Sequence, residues 1–275
     1  MSKMCFSVLM SVYQKENPDY LDRALKSNLD DQTLQPDQFV LVCDGPLNPS
    51  LDAVIQKYEE KYPTIFETHR LEKNGGLGNA LNYGLHFCKY ELVARSDSDD
   101  VCLLDRFTKQ ITYMESHPEV SASSGTIDEF DTDYNHPKRV KHMPLSNEEI
   151  LEYTKKRNPL SHMATIFRKS DVIEVGSYQQ VQYLEDYYLW VRLLAAGKKL
   201  GNLDDLLVHV CVGNGMVERR GDKRYIEGWS MLDKYMIKHG MLSRGQYFIN
   251  IGTLWIWCHM PGKVRDIIYK KILRN

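Results

Sequence analysis

A chain of 275 residues that is 43% hydrophobic and 26% charged is globular and can bury a substantial core, in one large domain or two small ones. Its formal net charge of -2 gives no general attraction to nucleic acid, yet 12 Lys/Arg stand against 5 Asp/Glu from Glu218 to Asn275, so the C-terminal stretch is the part suited to an anion or an acidic surface. The six scattered cysteines form no Cys-x-x-Cys pair and read as reduced cytosolic thiols; the run Met4 to Tyr13 is too short and polar for a secretory signal, and no segment reaches the ~20 apolar residues that span a bilayer.

Along the first hundred residues short apolar runs alternate with helical patterns, as in parallel β/α units. The runs Phe6–Met10, Phe39–Val42, Thr64–Phe66 and Glu91–Ala94 predict strands, and Tyr20–Leu29, Leu51–Tyr62 and Leu77–Phe87 predict helices between them. Pro18, Pro36, Pro46, Pro49 and Pro63 fall at the boundaries, where proline is least damaging. A doubly wound sheet of this kind takes its ligand across the strand C-termini. Further on, the pattern predicts a helix over Leu104–His117, an extended stretch over Val120–Phe130 and irregular chain from Asp131 to Pro144. A strand over Met163–Phe167 and a helix over Asp186–Ala196 follow, the latter ended by Gly197. The last sixty residues read as helical, with no repeat or flexible linker ahead of them.

Where the Tyr90–Ala94 run ends, three carboxylates stand within four residues, Asp97-Ser98-Asp99-Asp100. Side chains two apart on extended backbone share a face, so Asp97 and Asp99 project together and repel unless water, a proton or a cation intervenes. Hard oxygen ligands at the mouth of a sheet suit Mg²⁺ or Mn²⁺ carrying a substrate phosphate; a solvated acidic loop capping the next helix is the plain alternative. The Asn74-Gly75-Gly76-Leu77-Gly78 turn opens a helix whose amides can face an anion, but it lacks both the P-loop ending and the dinucleotide fingerprint.

Taken in order, Ser7–Tyr13, Val42-Cys43-Asp44-Gly45, Asn74–Asn82, the Asp97–Asp100 cluster, Glu185-Asp186 and Gly213-Asn214-Gly215 ahead of Arg219-Arg220 make the chain resemble bacterial glycosyltransferases of family 2, which have the GT-A fold. The resemblance implies a mostly parallel α/β sheet of Rossmann-like type flanked by helices, with a C-terminal helical extension. It divides the chain into a catalytic domain over 1–212, with a nucleotide half to residue 100 and an acceptor half beyond it, and a basic loop plus helices over 213–275.

The activity implied is transfer of a hexose from a UDP-sugar with inversion, galactose ahead of glucose and GlcNAc, onto a polyprenyl-diphosphate-linked saccharide in surface-polysaccharide synthesis. Tyr13 would stack on uracil and Asp44 bond its ring N–H; Asn74 and Gly75 would approach the diphosphate, and Asp97 the ribose. Asp99, with Asp97, would hold Mn²⁺ or Mg²⁺. Asp186, beside Glu185, would take the acceptor proton, its ionised form favoured by the helix it opens. His162 would contact donor or acceptor or else be a hydrogen-bonded structural histidine, and Arg219 and Arg220 would close over the diphosphate. The aromatic and basic C-terminal stretch suits either the inner face of the cytoplasmic membrane or a helical hairpin packed on the catalytic domain or on the second subunit of a homodimer. Two other classes remain open at this level: a metal-dependent phosphatase or nucleotidyltransferase, which leaves Glu185-Asp186 unexplained, and a non-catalytic sugar-nucleotide-binding subunit.

Overall fold

The computed structural model of the protein describes residues 4–181, 183–212 and 223–260. Its centre is a nine-stranded mixed sheet flanked by helices on both faces. The first half is built from β1 (Phe6–Val12), β2 (Gln38–Cys43), β3 (Phe66–Arg70) and β4 (Leu92–Ser96), alternating with α1 (Pro18–Asn28), α2 (Pro49–Lys61) and α3 (Leu77–Phe87). These four strands pair in parallel in the order β3-β2-β1-β4, so β1 and β2 deliver their C-terminal ends to one edge beside β4.

Local chemistry sets the helix starts. The side chains of Asn17 and Asn48 accept hydrogen bonds from the amides of Asp19 and Leu51, with Pro18 and Pro49 in the first turn, where a missing N–H costs nothing. Alternation along β1 sends Phe6, Val8, Met10 and Val12 into the core under α1 and α2, and Leu9 into the core under α3. α3 rides close to the sheet because residue 84 is glycine: a Cβ there would lie 2.5 Å from Leu9 and 2.6 Å from Val42.

The second half comprises β5 (Val101–Cys102), α4 (Arg106–Ser116), β6 (Val120–Phe130), β7 (Arg139–Lys141), α5 (Asn147–Thr154), β8 (Ile166–Arg168), α6 (Lys169–Glu174), α7 (Glu185–Ala195) and β9 (Lys199–Cys211). β8 runs antiparallel between β4 and β6, while β6 and β9 pair in parallel across ten registered positions. This long ribbon carries β9 back to β5, antiparallel, beside the acidic turn after β4. Two further helices, α8 (Lys223–Lys238) and α9 (Arg244–His259), pack with α7 around Tyr187, Val191, Trp229, Leu232 and Met236.

Several expected elements are corrected. Met163 falls in a 3-10 turn over His162–Ala164, and the strand begins only at Ile166, because the Ala164 and Thr165 amides bond back to the carbonyls of Ser161 and His162. The third strand starts at Phe66, where the predicted run ends: the Ile65 and Phe66 amides both bond to the Tyr62 carbonyl and finish α2 instead. The stretch Asp131–Pro144 contains β7, and β9 has no sequence counterpart among the predicted strands.

Candidate active site

The strand ends and the α3 turn enclose a cleft of about 790 Å³ lined by Tyr13, Glu16, Asp44, Asn74, Asp97 and Asp99 among others. Five of the sequence-predicted residues therefore share one cavity. Tyr13 follows β1 with its ring 43% exposed. Asp44 follows β2, and its carboxylate is already engaged: Gly75 N–H donates to Oδ1 at 2.7 Å and Gly76 N–H to Oδ2 at 3.0 Å, while Asn74 Nδ2 donates to the Asp44 carbonyl at 3.1 Å. The glycine turn thus spends two amides on Asp44. Its close approach needs Gly45, whose φ is +89° and where a Cβ would meet Asn74 N at 2.6 Å.

Beyond β4 the oxygens of Asp97, Asp99 and Asp100 lie within 4.8 Å of one another, so Asp100 joins the pair that strand alternation predicted. Burial, then Asp97, then Glu16 push the Asp99 carboxyl up to about 7. Asp100 is pushed well above the usual carboxylate range, first by burial and then by Asp99 and Asp97. One of its oxygens accepts the Cys211 amide of β9 at 2.8 Å; the other is buried with no partner among the described residues. A buried carboxylate oxygen left unsatisfied beside two more carboxylates fits a divalent cation, and the all-oxygen donor set fits Mg²⁺ or Mn²⁺.

Arg95, a residue that the sequence reading missed, lies beneath this cluster. It sits on β4 with 1% exposure and pairs through Nη2 with Asp97, while its Nε and Nη1 have no partner among the described residues. Its charge reaches Glu185 and Asp186 and helps burial to hold His162 neutral. His162 is buried and bonds through Nε2 to the Tyr178 hydroxyl at 2.9 Å. The signal available was a lone arginine inside an otherwise apolar strand, next to the acids.

Glu185 and Asp186 begin α7. Asp186 is half-buried, with Asn158 Nδ2 donating to Oδ2 at 2.6 Å. Contrary to expectation its carboxyl is shifted upward, because burial outweighs the Tyr187 amide and Asn158. Glu185 is pushed to about 7 by burial and then by Asp186. The pair lies against the start of α3, where a Cβ on Gly78 would sit 3.7 Å from Glu185 Cβ. The loop ahead of α7 is fixed by reciprocal bonds between Asn82 and Tyr178 and by Arg192 on the Val175 and Ser177 carbonyls. Ser177 and Tyr183 in that loop hold left-handed backbone at φ 53° and 65°, which costs about 1 kcal/mol or more each. Arg219 and Arg220 lie outside the described residues.

The family model for glycosyl transferase family 2 matches residues 7–176. The amylovoran biosynthesis glycosyltransferase AmsE of Erwinia amylovora is 45% identical over 97% of this chain and 98% of its own. The Escherichia coli UDP-Gal:alpha-D-GlcNAc-diphosphoundecaprenol beta-1,3-galactosyltransferase is 34% identical over 98% of this chain and 97% of its own. Among solved structures, the mannosyltransferase PcManGT from Pyrobaculum calidifontis, in complex with GDP-Man and Mn²⁺, superposes with a TM-score of 0.66 over 96% of this chain and 72% of that one; at 14% identity this likeness shows the GT-A fold. On its full-length relatives, its matching family model and its fold, the chain belongs to glycosyl transferase family 2.

Proposed function

We propose that the protein is an inverting, metal-dependent hexosyltransferase of bacterial surface-polysaccharide synthesis. Its donor is a UDP-hexose, galactose first and then glucose or GlcNAc, and its acceptor is a polyprenyl-diphosphate-linked sugar at the inner face of the cytoplasmic membrane. The observation that carries this reading is the juxtaposition, around the buried Arg95, of an aspartate triad suited to a cation and a second acidic pair at the head of α7. The near-full-length similarity to a galactosyltransferase with a diphosphoundecaprenol-linked acceptor supports the choice of donor and acceptor.

On this reading the exposed Tyr13 ring stacks on the uracil, and Asp44, fastened to the Gly75 and Gly76 amides, presents its remaining lone pairs to the ring N–H. Asn74 and Gly75 set the depth of the diphosphate. Asp97 takes the ribose, and Asp99 with Asp97 and Asp100 would hold Mn²⁺ or Mg²⁺, which neutralises charge on the departing diphosphate. Asp186, steadied by Asn158, accepts the acceptor hydroxyl's proton as that oxygen bonds to the anomeric carbon. The bond from that carbon to the donor phosphate breaks on the opposite face, and its electron pair leaves with UDP. Glu185 stands beside Asp186 at the start of α7, His162 is held by Tyr178 as a structural neighbour of Arg95, and Arg219 and Arg220 would cover the diphosphate. Among the described residues no helix is long and apolar enough to cross a membrane.

A panel of nucleotide-sugars with Mn²⁺ tests the donor. At a hundred times its Kd the right one stabilises the native state by about 2.7 kcal/mol and raises Tm by about 5 °C. That donor is then offered with GlcNAc-diphospho-polyprenol and the anomeric configuration of the product read by NMR. The donor assignment fails if no UDP-sugar shifts Tm in the presence of metal, and the inverting assignment fails if the product retains configuration.

A further inference from the structure

The helix α9 is apolar on two opposite faces, and only one of them is packed. Tyr247, Ile251 and Leu254 turn inward to the cluster formed with α7 and α8. Asn250 pins the same face, its Nδ2 donating to Asp233 at 3.0 Å and to the Lys155 carbonyl at 3.1 Å. The opposite side presents Phe248, Ile249, Trp255 and Ile256, all between 57% and 71% exposed. Their spacing of one, seven and eight residues puts them on one stripe, two turns long, with Gly252 between them and open space above it. Elsewhere the large exposed apolar side chains, such as Leu104, Val140 and Ile173, belong to separate elements or loops. A helix apolar all round belongs against something on each side.

The charge pattern selects what covers the outer side. From Lys234 to His259 the sequence has no Asp or Glu, while Lys234, Lys238 and Arg244 are exposed. A second copy of the chain would offer this stripe the same basic run of sequence from Lys234 to His259, since a two-fold contact meets itself. An anionic bilayer offers both complements at once, acyl chains for the aromatic stripe and headgroups for the lysines and arginine. At 16 residues α9 spans about 24 Å, too short to cross a bilayer but suited to lying along its surface.

We propose that the outer face of α9, formed by Phe248, Ile249, Trp255 and Ile256, is the surface on which the protein docks in the plane of an anionic lipid bilayer. The purpose of such docking, meeting a lipid-linked acceptor, rests on the function proposed above; the surface itself rests on exposure, spacing and charge.

The test uses the full chain and flotation with vesicles of phosphatidylglycerol and phosphatidylethanolamine against vesicles of phosphatidylcholine alone. Wild type is expected to float with the anionic vesicles, and the paired change Phe248→Ser with Trp255→Ser to reduce the floated fraction about tenfold or more. Both side chains face solvent, so the variant's far-UV circular dichroism and Tm stay those of wild type, and transfer to a short-chain soluble acceptor persists. That last assay separates the two ideas: lost flotation with intact transfer supports the docking surface, and absent transfer in wild type with normal flotation sinks only the function. Equal flotation of variant and wild type, or wild type left unfloated by anionic vesicles, overturns the proposal. So does a wild-type dimer in sedimentation that the paired change turns to monomer while wild type ignores vesicles.

Discussion

On the proposed function the first half of the sheet is the donor half and the second the acceptor half, and the two place their acids by different means. In the donor half Asp44, Asp97 and Asp99 emerge where parallel strands end, and their placement follows from strand register and from main-chain amides. In the acceptor half Glu185 and Asp186 are placed by a loop held by long-range side-chain bonds, Asn82 to Tyr178 and Arg192 to two carbonyls. The donor side is thus a property of the fold, whereas the acceptor side depends on a few individual residues. It can be altered without rebuilding the sheet.

That division is tested most severely at Asp186. If it is the base, Asp186→Asn lowers kcat about a thousandfold in single-turnover transfer, within the range for losing a general base, while the Mn²⁺-dependent Tm shift by the donor stays unchanged. Loss of the donor shift in that variant would erase the distinction between the halves.

Arg95 lies at the seam, and Arg95→Met should damage both sides. It leaves Asp97 unpaired over a buried cluster and removes a positive charge that acts on Glu185 and Asp186. Breaking a buried pair costs about 3 kcal/mol or more, so Tm falls by roughly 6 °C or more and metal-dependent donor binding falls with it. A variant as stable as wild type, with normal donor binding, would mean that the two acidic groups do not share this guanidinium.

The same contrast explains what could be read in the sequence. Strand and helix periods and boundary prolines located β1, β2, β4 and α1 to α3 to within a few residues, because each is a short element closed by local chemistry. β9 escaped notice because its run is broken by Asn202, Asp204 and Asp205 and is completed only by pairing with β6, about eighty residues earlier. Asp97 and Asp99 were legible as a cluster, but the state of Asp100, one oxygen taken by the Cys211 amide of that distant strand and the other without a partner among the described residues, was not. Arg95 and the burial that lifts Asp186 were hidden for the same reason: both depend on what surrounds the residue.

On the donor side the smaller test is Asp44→Ala. Two amides lose a charged acceptor in a cleft that water can enter, a cost of about 2 kcal/mol, and the uracil loses its partner. Donor KM should therefore rise with kcat little changed. A drop in kcat alone would move Asp44 out of the nucleotide site.

The weakest effect is expected furthest from the cleft, where Asp233 on α8 joins α9 through Asn250. Its other oxygen is buried without a partner among the described residues, and burial lifts its carboxyl from 3.8 to about 6. A carboxyl whose folded value lies above its unfolded one contributes stability below the unfolded value, and that contribution is lost as pH rises through the folded value. Wild type should therefore lose stability between about pH 4 and pH 6 from this group, and above that range it carries a buried, half-satisfied carboxylate. Asp233→Asn keeps an oxygen for Asn250 and removes the charge, so its Tm at about pH 8 should exceed that of wild type by roughly 2–5 °C, corresponding to about 1–2 kcal/mol, with no gain at about pH 4. Because this group lies outside the acidic clusters, the gain should be the same with and without Mn²⁺. A gain that vanished on adding metal would tie the C-terminal helices to the cleft and make them part of the acceptor half.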